Sequence, residues 1–170
     1  MKKQKYTIRR DEEKQIVIDG SGEYLVELVG PGARAEILGA LVARGDDVVN
    51  VEITIVHKAP DTTANTLVRA VARDRAKVVL SGMIRILKRA QKTNTFLAEN
   101  ILLLSDAARA DAIPNLEIEA DDVRASHAAT VGKIDEEQIF YLMSRGLSRA
   151  VAEEMIVDGF LDAVRARIRP

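Results

Sequence analysis

From Gln15 onward the chain is written in short apolar runs broken by turn-forming clusters: QIVI, EYLVEL, ARAEILGALVA, VVNVEITIV, NTLVRAVA, KVVLSGMIRIL, TFLAENILLLS and NLEIEA. Between them fall clusters such as Gly30-Pro31-Gly32, Arg44-Gly45-Asp46-Asp47, Ala59-Pro60-Asp61-Thr62-Thr63, Arg73-Asp74-Arg75 and Gln91-Lys92-Thr93-Asn94. Runs of this length at nearly even spacing, with no long helical pattern between them, restrict the chain to a layered all-β fold. Either a sandwich or a coiled β-solenoid satisfies the pattern. The Gly-rich joints at 20–32 open no amphipathic helix and lack the Lys-Ser/Thr of a phosphate-binding loop, so they read as tight turns needing φ > 0. The charged, aperiodic stretch 1–14 is expected to be a leader, 15–133 the β core, and 134–170 a helical segment.

Alternation is cleanest in VVNVEITIV, where Val49, Val51, Ile53, Ile55 and His57 share one face and Asn50, Glu52, Thr54 and Lys58 the other. His57 is therefore expected to be a packed, hydrogen-bonded ring rather than a ligand. SDAARADAIP reads as a small-residue connector, after which Leu116, Ile118 and Ala120 point inward and Glu117 and Glu119 outward. Asp121-Asp122 reads as a turn, since neighbours on an extended chain face opposite ways and no third carboxylate has suitable spacing for a cation. Val123, Ala125, His127, Ala129 and Val131 then share a parity. The small residues beside His127 leave its ring room, or let another backbone come close. Ser126 makes no nucleophile–base pair with it by adjacency, because strand neighbours diverge, and no orienting acid can be named. No catalytic residue is assigned.

The C-terminal segment predicts two short helices. Asp135 is the expected N-cap of the first, with Gln138 completing a capping box. Ile139, Phe140, Leu142 and Met143 form its apolar side, and Gly146-Leu147 reads as a Schellman stop. Ser148 caps the second, whose apolar side runs through Ala152, Ile156, Phe160 and Val164. A pair this short must fold back on the β scaffold or be covered by a partner.

Composition removes several kinds of chemistry. With no cysteine there are no disulfides, thiolate ligands or thiol nucleophiles, so any cluster chemistry must borrow sulfur. Charges nearly balance, which argues against a nucleic-acid partner, and aromatics at 4% supply no stacking platform for bases or sugars. No apolar run is long enough for a membrane span and no signal-peptide core follows the N-terminal lysines, so a soluble, cytoplasmic protein is expected. An enzyme on a β-solenoid, carbohydrate-active or acyl-transferring, would need clustered carboxylates, a histidine with its partners or aromatic platforms. Only His127 and His57 offer any of these.

The text HKAPDTTANT, KVVLSGMIRI, AQKTNTFLAENILLLS and PNLEIEADDVRASHAATVGKIDEEQIFYLMSRGL, followed by an Ala/Glu-rich helix ending in GF, resembles the SufB/SufD family. These are scaffold subunits of Suf iron–sulfur cluster assembly. The likeness runs from about Gly32 to Phe160. It implies a mainly β fold, a truncated parallel β-helix followed by helices that dock an ABC-type ATPase, SufC. It also implies pairing through the β-helix with a SufB-like subunit or with a second copy. His127 matches the histidine of the family's Ser-His-Gly-Ala-Thr segment, so the resemblance makes it the candidate metal ligand, for iron or a transient cluster at a subunit interface. Phe140, Tyr141, Arg145 and Gly146 match the family's helix and turn and become the candidate ATPase-docking residues. Ala125 and Ala128 stand where SufD-like members commonly carry Cys and Gly. Ala128 also falls where SufB-like members carry a Glu, and the SufB-like cysteine would fall near Ala107-Ala108. The chain thus resembles SufD more than SufB, is shorter than typical members, and holds no cluster by its own thiolates. A non-enzymatic scaffold is the expected function; a solenoid enzyme and a His127-based metal or cluster carrier are the alternatives.

Overall fold

A computed structural model describes residues 2–169. The ten strands are β1 (Lys2–Ile8), β2 (Glu13–Ile18), β3 (Gly22–Leu28), β4 (Arg34–Ala43), β5 (Val48–His57), β6 (Thr63–Ala72), β7 (Lys77–Ile86), β8 (Asn94–Leu103), β9 (Arg109–Ile118) and β10 (Arg124–Lys133). Two helices follow, α1 (Glu136–Ser144) and α2 (Arg149–Arg165). Odd strands stack in parallel as one sheet, in the order β1-β3-β5-β7-β9, and even strands as the other, β10-β8-β6-β4-β2. Each pair of consecutive strands is therefore one coil of a parallel β-solenoid, which decides between the two architectures that the strand pattern allows.

In-register stacking places like residues above like. Val26, Ile55 and Ile84 are register partners across β3, β5 and β7, and all are fully buried between the sheets. Corners repeat as well. Asp11, Asp61, Asp74 and Lys92 take positive φ, as do Gly32 and Gly45. Asp tolerates the left-handed region because its short side chain bonds locally, whereas Lys has no such compensation. Of the glycines in 20–32, only Gly32 has positive φ, so the other joints turn without needing it.

Several expectations change. The stretch read as a charged leader is the first coil, with Ile8 buried beneath exposed lysines of β1. Its alternation is hidden by Lys2, Lys3 and Lys5, which leave a short apolar parity. The connector is shorter than expected, and Pro114 lies within β9. Proline is tolerated there because β9 is the edge of its sheet. Leu116 and Ile118 have the inward parity of their partners Ile84 and Ile86, yet remain 46% and 42% exposed because no further coil covers them.

The helices fold back. α2 lies across the outer face of the even-strand sheet, against β4 and β6, where Val157 and Leu161 pack on Val71 with Ala40, Val42 and Phe160. It has 17 residues and is not short. Its buried stripe runs Ala152, Val157, Leu161 and Val164, with Ile156 and Phe160 half-buried at the margin. Arg69 donates to the Phe160 carbonyl at 2.6 Å and lies over the Phe160 ring.

Candidate functional site

His127 sits on β10 opposite Leu97 of β8. Its inward parity carries the ring into the space between the sheets, where Nε2 lies 3.2 Å from Oε2 of Glu99. Both side chains are sequestered, at 4% and 0% exposure. Glu99 lies two residues past Leu97 on the same inward face, and its register partner Ala129 is small. The facing sheet makes room too. A β-carbon on Gly82 of β7 would stand 2.8 Å from His127 Cε1 and 2.9 Å from Leu97 Cδ1. Close approach rather than backbone angle therefore favours glycine there, since a β-carbon would force the ring or Leu97 to shift.

Burial pushes the Glu99 carboxyl above its ordinary range, with the His127 hydrogen bond and charge pulling it back. Glu99 Oε1 and His127 Nδ1 have no hydrogen-bond partner among the described residues. The pair thus holds one hydrogen bond between carboxylate and imidazole and leaves one further polar atom on each without a partner among the described residues. Among the described residues no cluster of three metal-ligating side chains forms, and at this site the potential donors are the imidazole of His127 and the carboxylate of Glu99. Ser126 has the opposite parity and is exposed, which removes it from the ring.

Glu99 is the carboxylate partner of His127 that sequence reasoning missed. The signal was present, since FLAENI places a carboxylate on the parity of Leu97 and Ile101, where a lone charge is rarely buried without a partner. Gly82 was signalled by its place in the middle of KVVLSGMIRI.

His57 is fully buried and belongs to a corner, not to this site. Its Nδ1 is 2.8 Å from Thr62 Oγ1. Thr62 Oγ1 also lies 3.2 Å from the Ala59 carbonyl and 3.1 Å from Thr93 Oγ1, and the Thr93 hydroxyl donates to the Ala90 carbonyl, so the ring joins a small buried hydroxyl network. Nε2 is left without a partner. Desolvation lowers the pKa of the ring from 6.5 to about 4, because a fully buried imidazole has no water to stabilise its charged form.

The four residues matched to a docking role lie on α1 and its exit. Asp135 caps the helix through the Glu137 N–H at 2.9 Å, one position before the residue a capping box would use. Gly146 closes it at φ +93, with Gly146 N–H on Met143 O and Leu147 N–H on Leu142 O, a Schellman motif. Gly146 thus shapes the turn through its backbone. Ile139 anchors the helix in a small core with Ile134 and Ala152. Phe140 and Tyr141 face outward at 75% and 57% exposure, and the Arg145 guanidinium lies over the Tyr141 ring at 5.3 Å. Beside them runs a groove lined by Asp135, Glu137, Gln138, Tyr141, Leu142 and Ile156.

Fold and site together define a parallel β-solenoid with a docked helical appendage and a buried carboxylate–imidazole pair in its last coils. Residues 21–160 match the SufBD core domain of the SUF system for FeS cluster assembly, and the chain belongs to that family. It is 36% identical over 146 residues to the iron–sulfur cluster assembly protein SufD of Bacillus subtilis (strain 168), covering 86% of this chain and 33% of that protein. It is 33% identical over 135 residues to an iron–sulfur cluster assembly SufBD family protein of Staphylococcus epidermidis, covering 79% of this chain and 29% of that protein. A SufBD family protein of Mycobacterium leprae is 36% identical over 151 residues, covering 84% and 38%. The chain spans about a third of the length of these relatives.

Proposed function

We propose that this chain is a non-enzymatic, SufD-like scaffold subunit of iron–sulfur cluster assembly, acting in the cytoplasm. It pairs through the open end of its β-solenoid and docks an ABC-type ATPase through α1. The observation that carries this reading is the match to the SufBD core domain across 21–160. Two surfaces support its finer parts. The last coil leaves Leu116, Ile118 and Val131 exposed, aliphatic side chains that a SufB-like subunit or a second copy would cover. Phe140 and Tyr141 stand out on a helix already anchored by Ile139, which suits a rigid aromatic contact with a partner. No helix among the described residues is long and apolar enough to cross a membrane.

Light scattering of the chain alone and mixed with a Suf-type ATPase tests the docking. A complex weakened at least tenfold by Phe140→Ala with Tyr141→Ala is expected; proteins that ignore each other at high micromolar concentration refute it.

The Glu99–His127 pair favours a second reading, a carrier that meets iron or a cluster as cargo through His127. A neutral imidazole suits iron, while the missing thiolates would have to come from elsewhere. Anaerobic reconstitution with iron and sulfide discriminates: equal iron content in wild type and His127→Ala removes this reading.

A further inference from the structure

We propose that Glu99 is the positioning residue of His127, accepting its Nε2–H and so leaving Nδ1 as the ring atom that meets a ligand. The inference rests on the reading that His127 takes a metal as cargo, but its structural half stands apart from it. Three observations support it. Nε2 is 3.2 Å from Glu99 Oε2, while Nδ1 has no partner among the described residues. Glu99 is fully buried and has no Lys, Arg or second histidine bonded to it, so the imidazole N–H is the one donor its carboxylate reaches among the described residues. A β-carbon on Gly82 would stand 2.8 and 3.0 Å from His127 Cε1 and Nε2, so the ring edge that faces Glu99 lies close against the opposite sheet.

Chemistry gives this arrangement a consequence. A histidine that ligates a metal characteristically donates its other ring N–H to a carboxylate or carbonyl, which sets the tautomer and raises the basicity of the ligating nitrogen. Here the carboxylate lies inside the solenoid, so Nε2 is occupied from within and Nδ1 is the nitrogen kept free of a proton. Glu99 acts through His127 and is not itself assigned as a ligand.

Nitrogen NMR of the two imidazoles in the intact chain at neutral pH tests this directly. His127 is expected as the Nε2–H form, with a slowly exchanging Nε2 proton. In Glu99→Leu that proton should lose its protection by at least tenfold; Glu99→Gln, which retains an acceptor oxygen, should restore part of it. A wild-type ring protonated on Nδ1 overturns the proposal, as does an Nε2 proton whose exchange is unchanged in Glu99→Leu. Zn(II) added as a probe separates the two readings. A shift confined to Nδ1 supports the proposal, and a shift of Nε2 overturns it. No shift of either nitrogen, with the Nε2–H form present, upholds the positioning role and counts against His127 as a ligand. Circular dichroism and thermal unfolding of both variants establish that each is folded before its exchange is read.

Discussion

Mild acid destabilises this protein through His57. In the fold its pKa is lowered from 6.5 to about 4 by burial, so between those values the unfolded chain binds the extra proton and the native state does not. Stability from this group is full above pH 6.5, declines as pH falls, and reaches its limit near pH 4. Over the whole window the loss is roughly 3 kcal/mol, and about 2 kcal/mol of it falls between pH 7 and 5. The structural cause is desolvation: the ring is fully buried, and its Nε2 has no hydrogen-bond partner among the described residues.

Other groups titrate in the same range, and Glu99 acts in the opposite sense: its raised pKa makes the folded state the better proton binder as pH falls toward the carboxylate range. The comparison must cancel them. His57 is stacked between Leu28 and Ile86, so His57→Leu continues an aliphatic column and leaves Thr62 with its bonds to Ala59 and Thr93. Urea unfolding of both proteins at pH 7, 6 and 5 gives the difference in stability at each pH. That difference is expected to move by about 2 kcal/mol in favour of the variant on going from pH 7 to 5. Parallel curves, within about 0.5 kcal/mol, would refute the account of His57.

Three further outcomes follow from the geometry. Gly82→Ala should cost about 1–3 kcal/mol in denaturant unfolding, and much of that cost should vanish in a His127→Ala background, because the new β-carbon meets the ring. Lys92 holds φ 58 at a corner where its neighbours along the stack are Asp or Gly, so Lys92→Gly should stabilise by about 0.5 kcal/mol and Lys92→Val destabilise by about 1 kcal/mol, read from thermal melts. Arg167 and Arg169 clip the chain's end to Glu36 and Glu13 at 2.8 and 3.1 Å. Removing both should cost less than about 1 kcal/mol, with the loss shrinking in high salt, since these pairs are partly exposed.

The strands and the helix caps were legible because each is a local matter: period-two alternation in β5, Ser148 before α2, Gly146 after α1. What was less legible depends on stacking. A corner repeats as Ala59…Thr62 and Ala90…Thr93, each threonine hydroxyl donating to the alanine carbonyl before it and the two hydroxyls meeting at 3.1 Å. That repeat spells out a coil, yet each copy alone reads as an ordinary turn. His127 could be placed on an inward face from sequence, but its partner could not, because Glu99 lies 28 positions away and the two meet only through the register of β8 with β10. Gly82 lies on the opposite sheet and is further still from local pattern. Leu116 and Ile118 show the converse limit: parity tells which way a side chain points and says nothing of whether another coil lies beyond it.

The two outer edges of the odd-strand sheet differ in a way that bears on the proposed pairing. β1 carries Lys3 and Lys5, paired with Glu23 and Glu27 of β3 at 2.8 and 3.1 Å. Lysines along an edge discourage another strand from adding there. β9, together with β10 at the same end of the even-strand sheet, instead offers Leu116, Ile118 and Val131 with half-buried Ala125, Ala128 and Ala129, a surface on which added charge has nowhere to be solvated once covered. Replacing Ile118 by Lys therefore separates pairing from folding. In the single chain this position is 42% exposed at the last coil, so a lysine there should leave the melting temperature of a monomer nearly unchanged. In a dimer built on this end the same lysine is buried without a partner, and the association constant should fall by at least tenfold. Sedimentation across a concentration series reads both. A wild type that stays monomeric at high micromolar concentration, or a dimer untouched by the lysine, would move the interface away from β9 and β10.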